Sequence, residues 1–243
     1  VYASSKKQDN YFGFGTDSDL EQSGNYLIIK HSAFPIRSPH PGDPHYDPLH
    51  TIPVAKILGG YRSRRRAFRP PSIVNVSAMS FGSLSGNAIH ALNAGSCLAG
   101  CLHNTGEGGV SPYHLQGGDL IWQIGTGYFS CRTKDGDFDP DLFSKNAATQ
   151  AVKMLAIKLS QGAKPGHGGI LPAAKNTPEI AAIRNVEPGT SVISPPAHNA
   201  FSRPIERKES VQRLRELSQG EAFGYKLCAG RRSEFMAGCK AMV

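Results

Sequence analysis

Ile73-Val74-Asn75-Val76-Ser77-Ala78-Met79-Ser80-Phe81-Gly82-Ser83-Leu84-Ser85, followed by Ala88, Ile89, Ala91, Leu92 and Gly95 at helical spacing, is the stretch that decides the fold. A short β-branched run, a polar loop with a glycine and an amphipathic segment read as strand, loop and helix, with Ser85 placed as the N-cap. The same alternation continues downstream. Cys101-Leu102-His103, Leu120-Ile121-Trp122-Gln123-Ile124, Ala156-Ile157-Lys158-Leu159 and Phe223-Gly224-Tyr225-Lys226-Leu227 read as strands. Phe143 to Leu155, with Ala147, Ala148, Ala151 and Val152 on one face, reads as a helix. So do Ile180 to Arg184 behind Thr177-Pro178-Glu179, Glu206 to Leu217 with Gly220 as its stop, and a last helix capped by Ser233. Ser191-Val192-Ile193 is a further apolar run, ending at Pro195-Pro196.

Strands alternating with helices mark βα units around a parallel sheet, so the expected fold class is α/β. A complete (β/α)8 TIM barrel takes ~250 residues, and the alternation here occupies only 70–243, enough for about five of the eight units. The expectation is therefore a partial barrel, incomplete at the C-terminus. Residues 1–69 lack sustained periodicity: they carry turn chemistry such as Ser38-Pro39-His40-Pro41-Gly42-Asp43-Pro44 and one strand-like run, Tyr26-Leu27-Ile28-Ile29. They read as an irregular N-terminal extension ending in a basic connector, ahead of a barrel domain over 70–243.

Composition narrows the function. The 27 Lys and Arg exceed the 19 Asp and Glu, for a net charge of +8. Much of the excess lies in Arg62, Arg64, Arg65, Arg66 and Arg69, without the aromatic or polar readers of a nucleic-acid groove. That run reads as a solvated connector or as a contact for an anionic surface or partner. No apolar stretch is long enough to span a membrane. Five cysteines, odd in number and without C-x-x-C, indicate neither a disulfide framework nor a zinc site and fit a reducing compartment. The expected location is the cytoplasm, with membrane association through a segment ahead of Val1 left open. No P-loop, no dinucleotide G-x-G-x-x-G and no H-E-x-x-H is present. Asn75-Val76-Ser77 matches a glycosylation sequon by chance.

In βα architectures the loops after the strands carry function. Here they are rich in glycine and polar residues: Ser77 to Gly82, Asn104-Thr105-Gly106-Glu107-Gly108-Gly109, Gly125-Thr126-Gly127, and Ser160-Gln161-Gly162-Ala163-Lys164-Pro165-Gly166-His167-Gly168-Gly169. The closely spaced glycines of the last loop are expected to let backbone approach a ligand.

The blocks from Ser77 to Ser85, Asn104 to Gly109, Ile157 to Gly166 and Ile193-Ser194-Pro195-Pro196, in this order, resemble the FMN-binding synthase domain of the glutamate synthase family over roughly residues 72–243. Tyr11-Phe12-Gly13-Phe14-Gly15-Thr16-Asp17 is similar to the stand-alone glutamate-synthase-like FMN proteins. The resemblance implies a barrel holding FMN at its C-terminal face and an oxidoreductase, acting on the CH–NH2 group, that makes glutamate. Reduced flavin would deliver hydride to 2-iminoglutarate formed from 2-oxoglutarate and ammonia, and the flavin would carry the hard chemistry. By position in the motifs, Ala78, Met79, Ser80, Asn104, Gln123 and Lys226 are the expected cofactor contacts. Lys158, Lys164, Arg184 and Ser194 are the expected 2-oxoglutarate contacts, and Glu107 and Lys164 the catalytic candidates.

Some readings stay open. Glu107 is a turn residue facing water or lines the mouth where ammonia arrives. His167 and His198 are acid–base groups or hydrogen-bonding bystanders. Ile170 stands where the large glutamate synthases have a glutamine that contacts 2-oxoglutarate, which bears on the substrate. The partners implied are 2-oxoglutarate, ammonia or an ammonia-donating subunit, and an unspecified electron donor, with no metal. Alternatives are a truncated, non-enzymatic barrel fragment, or an FMN oxidoreductase acting on another 2-oxo acid or amine.

Overall fold

The computed structural model describes residues 56–62, 64–159, 161, 166–228 and 231–242, and of the preceding stretch residues 33, 34, 42 and 44. The chain divides into two units, residues 1–50 and 51–243, and every element named below belongs to the second. The strand-like run at 26–29 and the motif at 11–17 lie outside the described residues.

Ser85 does cap the first helix, α1 (Gly86–Ala99): its side chain accepts from the Ala88 N–H, and Gly100 in the left-handed region ends the helix. Strands β1 (His103–Asn104), β2 (Leu120–Ile124), β3 (Val152–Lys158) and β6 (Ala222–Lys226) lie side by side in chain order, all parallel. Helix α2 (Pro140–Ala147) connects β2 to β3, and α4 (Pro204–Leu217) precedes β6. Asp139 caps α2 and Thr177 caps the short α3 (Pro178–Arg184), each with proline at the first helical position. Parallel strands in sequential order joined by helices are consistent with part of a TIM-barrel-like sheet. Ser191-Val192-Ile193 stands outside it: β5 (Val192–Ile193) pairs antiparallel with β4 (Ile170–Leu171) in a separate two-stranded sheet. Helix α5 (Arg232–Met242) follows β6 and starts before Ser233, which lies inside its first turn.

Two sequence expectations are corrected. Ile73 to Val76 is not a full strand: Val76 forms a single parallel bridge to His103, and Ile73 and Val74 are exposed. The Asn75 Oδ1 takes the Leu102 N–H at 2.9 Å, in place of the main-chain acceptor that would extend the ladder. The helix read over 143–155 ends at Ala147, and β3 begins at Val152. The strand register shifts between Leu120 and Ile121, which pair with Val152 and Met154 respectively. The extra residue, Lys153, puts Val152 and Leu155 on the same face at a spacing of three, imitating a helical period within a strand.

Beyond the bulge the strands alternate. Leu120, Trp122, Ile124, Leu155 and Ile157 join Phe143 of α2 and Val211 and Leu214 of α4 in the main core, with Trp122 stacked on Phe143 at 5.5 Å between centroids. Each such large apolar side chain contributes roughly 1.5–3 kcal/mol by leaving water. The opposite face, with Ile121, Met154, Ala156 and Gly224, lines a cleft of about 670 Å³ that opens past Ser77, Ala78, Asn104 and Lys226. A second core, Phe81, Ile89, Phe129, Leu171, Ile180 and Val192, with Met79 packed against it, anchors the loop after Val76.

The basic run is not simply solvated. Arg66 bridges to Glu221, and its Nη1 lies 2.6 Å from the Glu221 Oε1. Burial pushes the Glu221 carboxyl above the ordinary glutamate value, more than Arg66 pulls it down.

Candidate active site

The parallel sheet delivers polar side chains to the carboxyl ends of its strands. Asn104 ends β1, Gln123 lies near the end of β2, and Lys158 and Lys226 end β3 and β6 as register partners. The Asn104 Oδ1 accepts from the Gly106 N–H at 2.9 Å, which shapes the 106–108 turn bearing Glu107. Glu107 Oε1 then meets Lys158 Nζ at 3.0 Å, and the same amine donates to Gln161 Oε1 at 2.8 Å. Lys158 is 8% exposed. A Cβ on Gly125 would come 2.9 Å from the Glu107 Cβ, and one on Gly169 2.7 Å from its Oε1. These glycines make room for Glu107. Gly168 is crowded by the Ser194 and Pro195 carbonyls, so the approach expected between this loop and a ligand is at Gly168 and Gly169 an approach of protein to protein.

Arg184, the last residue of α3, is buried. Its Nη2 donates to the Phe81 carbonyl at 3.1 Å and its guanidinium lies 4.9 Å from the Phe129 ring centre. Burial lowers its pKa to about 10, with Glu107 acting in the opposite sense. Lys226, open to solvent at the cleft, is held below the ordinary lysine value by partial desolvation and then by the charge of Lys158, while Glu107 raises it. Glu107 is thus the anionic centre of a group comprising Lys158, Arg184 and Lys226. Ser194 is buried with its N–H on the Gly169 carbonyl at 2.8 Å, and the Ser80 Oγ donates to the Ser83 Oγ at 3.0 Å. Lys164 lies outside the described residues. His167 lines a small pocket with Glu107, Lys158 and Gln161. His198 sits behind β3, donating from Nε2 to the Lys158 carbonyl at 2.8 Å, with its Nδ1 3.1 Å from the Tyr128 hydroxyl.

Sequence reading passed over His103 and His114, both fully buried, with ring centroids 5.3 Å apart. Asn93 of α1 donates from Nδ2 to His103 Nδ1 at 3.3 Å. Burial, and then the neighbouring His114, lower the His103 pKa to about 4. The unfolded chain therefore takes up a proton near 6.5 that the folded chain refuses until about 4. Stability is fully present above 6.5 and is lost as the pH falls through that window, by of order 3 kcal/mol at its lower end. Urea unfolding at about pH 7 and pH 4.5 checks this: His103→Gln should flatten the acid limb, and parallel curves for parent and variant would refute the assignment.

Fold and site define a parallel-sheet α/β domain whose charged groups converge at the carboxyl ends of its strands. The chain belongs to the glutamate synthase family: residues 61–242 match the model described as the conserved region in glutamate synthase. It is 35% identical, over 95% of its length, to a glutamate synthase large subunit-like protein, YerD, of Bacillus subtilis, and spans about half (49%) of that protein. It is 33% identical to an archaeal-type glutamate synthase [NADPH] of Thermotoga over 64% of this chain and 29% of that one. It is 34% identical to the glutamate synthase [NADPH] large chain of B. subtilis over 62% of this chain and 10% of the relative. Among the described residues no helix is long and apolar enough to cross a membrane.

Proposed function

We propose that this chain supplies the flavin floor and part of the 2-oxo-acid site of a glutamate-synthase-type oxidoreductase, which reductively aminates 2-oxoglutarate to glutamate. The observation that supports it most is at Gln123: its Oε1 is buried without a hydrogen-bond partner, and its register partner Ala156 lines the cleft with Ser77, Ala78, Asn104 and Lys226. A buried acceptor left without a partner is costly unless a ligand donates to it. FMN suits such a site, with Ala78, Met79, Ser80, Asn104, Gln123 and Lys226 as the residues that would hold it. Bound flavin supplies hydride transfer.

The chain's own residues supply the rest. Lys226 places positive charge beside the cleft, and Lys158 presents a buried ammonium able to exchange Gln161 for a substrate carboxylate. Glu107 offers a carboxylate to arriving ammonium. Lys164, Arg184 and Ser194 complete the proposed dicarboxylate site, although Arg184 already spends one donor on the Phe81 carbonyl. Ammonia or an ammonia-donating subunit, an electron donor and a cytoplasmic location belong to the same proposal, as does the division into an extension (1–69) and a barrel domain (70–243). Ile170, half-buried next to Gly169, favours as a second reading a less polar 2-oxo acid.

The test is Lys226→Met in the full-length protein reconstituted with FMN. The variant should bind flavin with a lower midpoint potential than the parent, because a cation near the flavin stabilises its reduced anion. An unchanged potential, or a parent that takes up no flavin, would defeat the reading.

A further inference from the structure

We propose that His114 is a positioning residue of the cofactor site: its Nε2–H grips the Met79 carbonyl and so sets the path of residues 77–80, whose Ser77 and Ala78 line the cleft. This rests on the flavin reading above.

The two ends of the His114 ring face groups with fixed roles. The Ser111 backbone N–H, which can only donate, points at Nδ1 at 3.1 Å. The Met79 carbonyl, which can only accept, lies 3.0 Å from Nε2. The neutral ring therefore carries its proton on Nε2. The Ser111 hydroxyl, 2.8 Å from Nδ1, can then donate to the same nitrogen. His114 has no solvent exposure, so water does not compete for either bond.

Met79 is held from both sides, since its own N–H donates to the Asn104 carbonyl at 3.0 Å. One bond ties it to the end of β1 and the other to the 112–114 turn, 35 residues away in sequence. A trans peptide sets its N–H opposite its C=O, so the grip on the Met79 oxygen turns the Ser80 N–H away from His114. Asn93, which bonds His103, also accepts from the Gln116 and Gly118 N–H groups at 2.7 and 3.1 Å, and so fixes the chain that follows His114. The histidine pair, Asn93 and Ser111 form a buried polar brace behind the loop and outside the cleft.

A pair of substitutions separates positioning from mere packing, because an asparagine amide reaches the depth of Nδ1 and a glutamine amide that of Nε2. In the full-length protein, His114→Gln should keep the donor to Met79 and bind FMN within about threefold of the parent, with the visible circular dichroism of the bound flavin unchanged. His114→Asn should keep the Ser111 bond, leave the Met79 oxygen without its donor, and bind FMN roughly ten- to a hundredfold more weakly, with an altered flavin spectrum. Equal affinities for both variants, or equal losses tracking their melting temperatures, would overturn the inference while leaving the flavin reading intact. A parent that takes up no FMN overturns both. Should neither variant fold, ¹⁵N-histidine spectra of the parent decide: a neutral, Nε2-protonated, slowly exchanging ring is expected at neutral pH, and an Nδ1-protonated or doubly protonated ring defeats the proposal.

Discussion

Lys158→Met is expected, on the proposed function, to reduce turnover of 2-oxoglutarate roughly a hundredfold, equivalent to about 2.7 kcal/mol, and to lower the melting temperature as well. Methionine keeps the length and apolar stem of lysine but removes the ammonium that Glu107 Oε1 meets at 3.0 Å and that donates to Gln161 at 2.8 Å. A hydrogen bond from the Lys158 ammonium to a substrate carboxylate contributes ~1.5–3 kcal/mol, the size of the turnover loss, whereas the bonds to Glu107 and Gln161 bear on stability. The Glu107 carboxylate would then sit against Gly125 and Gly169 without its ion-pair partner. Its charge explains the stability loss, and a double substitution tests that. Lys158→Met combined with Glu107→Gln should melt closer to the parent than Lys158→Met alone, while turnover stays low. Melting and turnover equal to the parent's in the single variant would rule out both roles for Lys158.

Gly106→Ala should destabilise the protein by about 2–4 kcal/mol and, on the proposed function, abolish stoichiometric flavin uptake. Gly106 has φ of +66°, a conformation that alanine adopts at a cost of ~1 kcal/mol or more. The added methyl would also lie 2.8 Å from the Ser80 backbone nitrogen and 3.1 Å from its Cα, so backbone rather than a flexible side chain has to move. The segment displaced is the 78–80 loop, which leads out of the cleft. The melting temperature should fall by roughly 5–15 °C. Gly95→Ala is the control: it lies in α1 with nothing within 4 Å of a built Cβ, and alanine there should stabilise by up to about 1 kcal/mol. If Gly106→Ala behaves like that control, the close packing of the two loops does not hold.

Local chemistry determined much of this fold. Ser85 and Thr177 could be assigned as caps because a cap is satisfied within three residues, by the Ala88 and Ile180 N–H groups. β2 and β6 were readable as strands because their apolar runs are short and bounded by glycine and polar residues, and their neighbours follow in chain order. Gln123, Lys158 and Lys226 fell inside those strand runs for the same reason, whereas Asn104, read as the first residue of a loop, ends β1.

What the tertiary structure alone decided depends on partners distant in sequence. The bulge at Lys153 is set by pairing with β2, and without that partner the spacing of Val152 and Leu155 is indistinguishable from a helical turn. Asn75 cuts its own strand short only because Leu102, 27 positions on, presents an N–H to it. A glycine is compatible with many neighbours, so its local sequence does not reveal that Gly169 makes space for Glu107 and Gly168 for the Ser194 and Pro195 carbonyls. The buried histidines carry the same lesson. An imidazole's tautomer, and its effect on a loop 35 residues earlier, follow from which donor and which acceptor the fold brings to its two nitrogens.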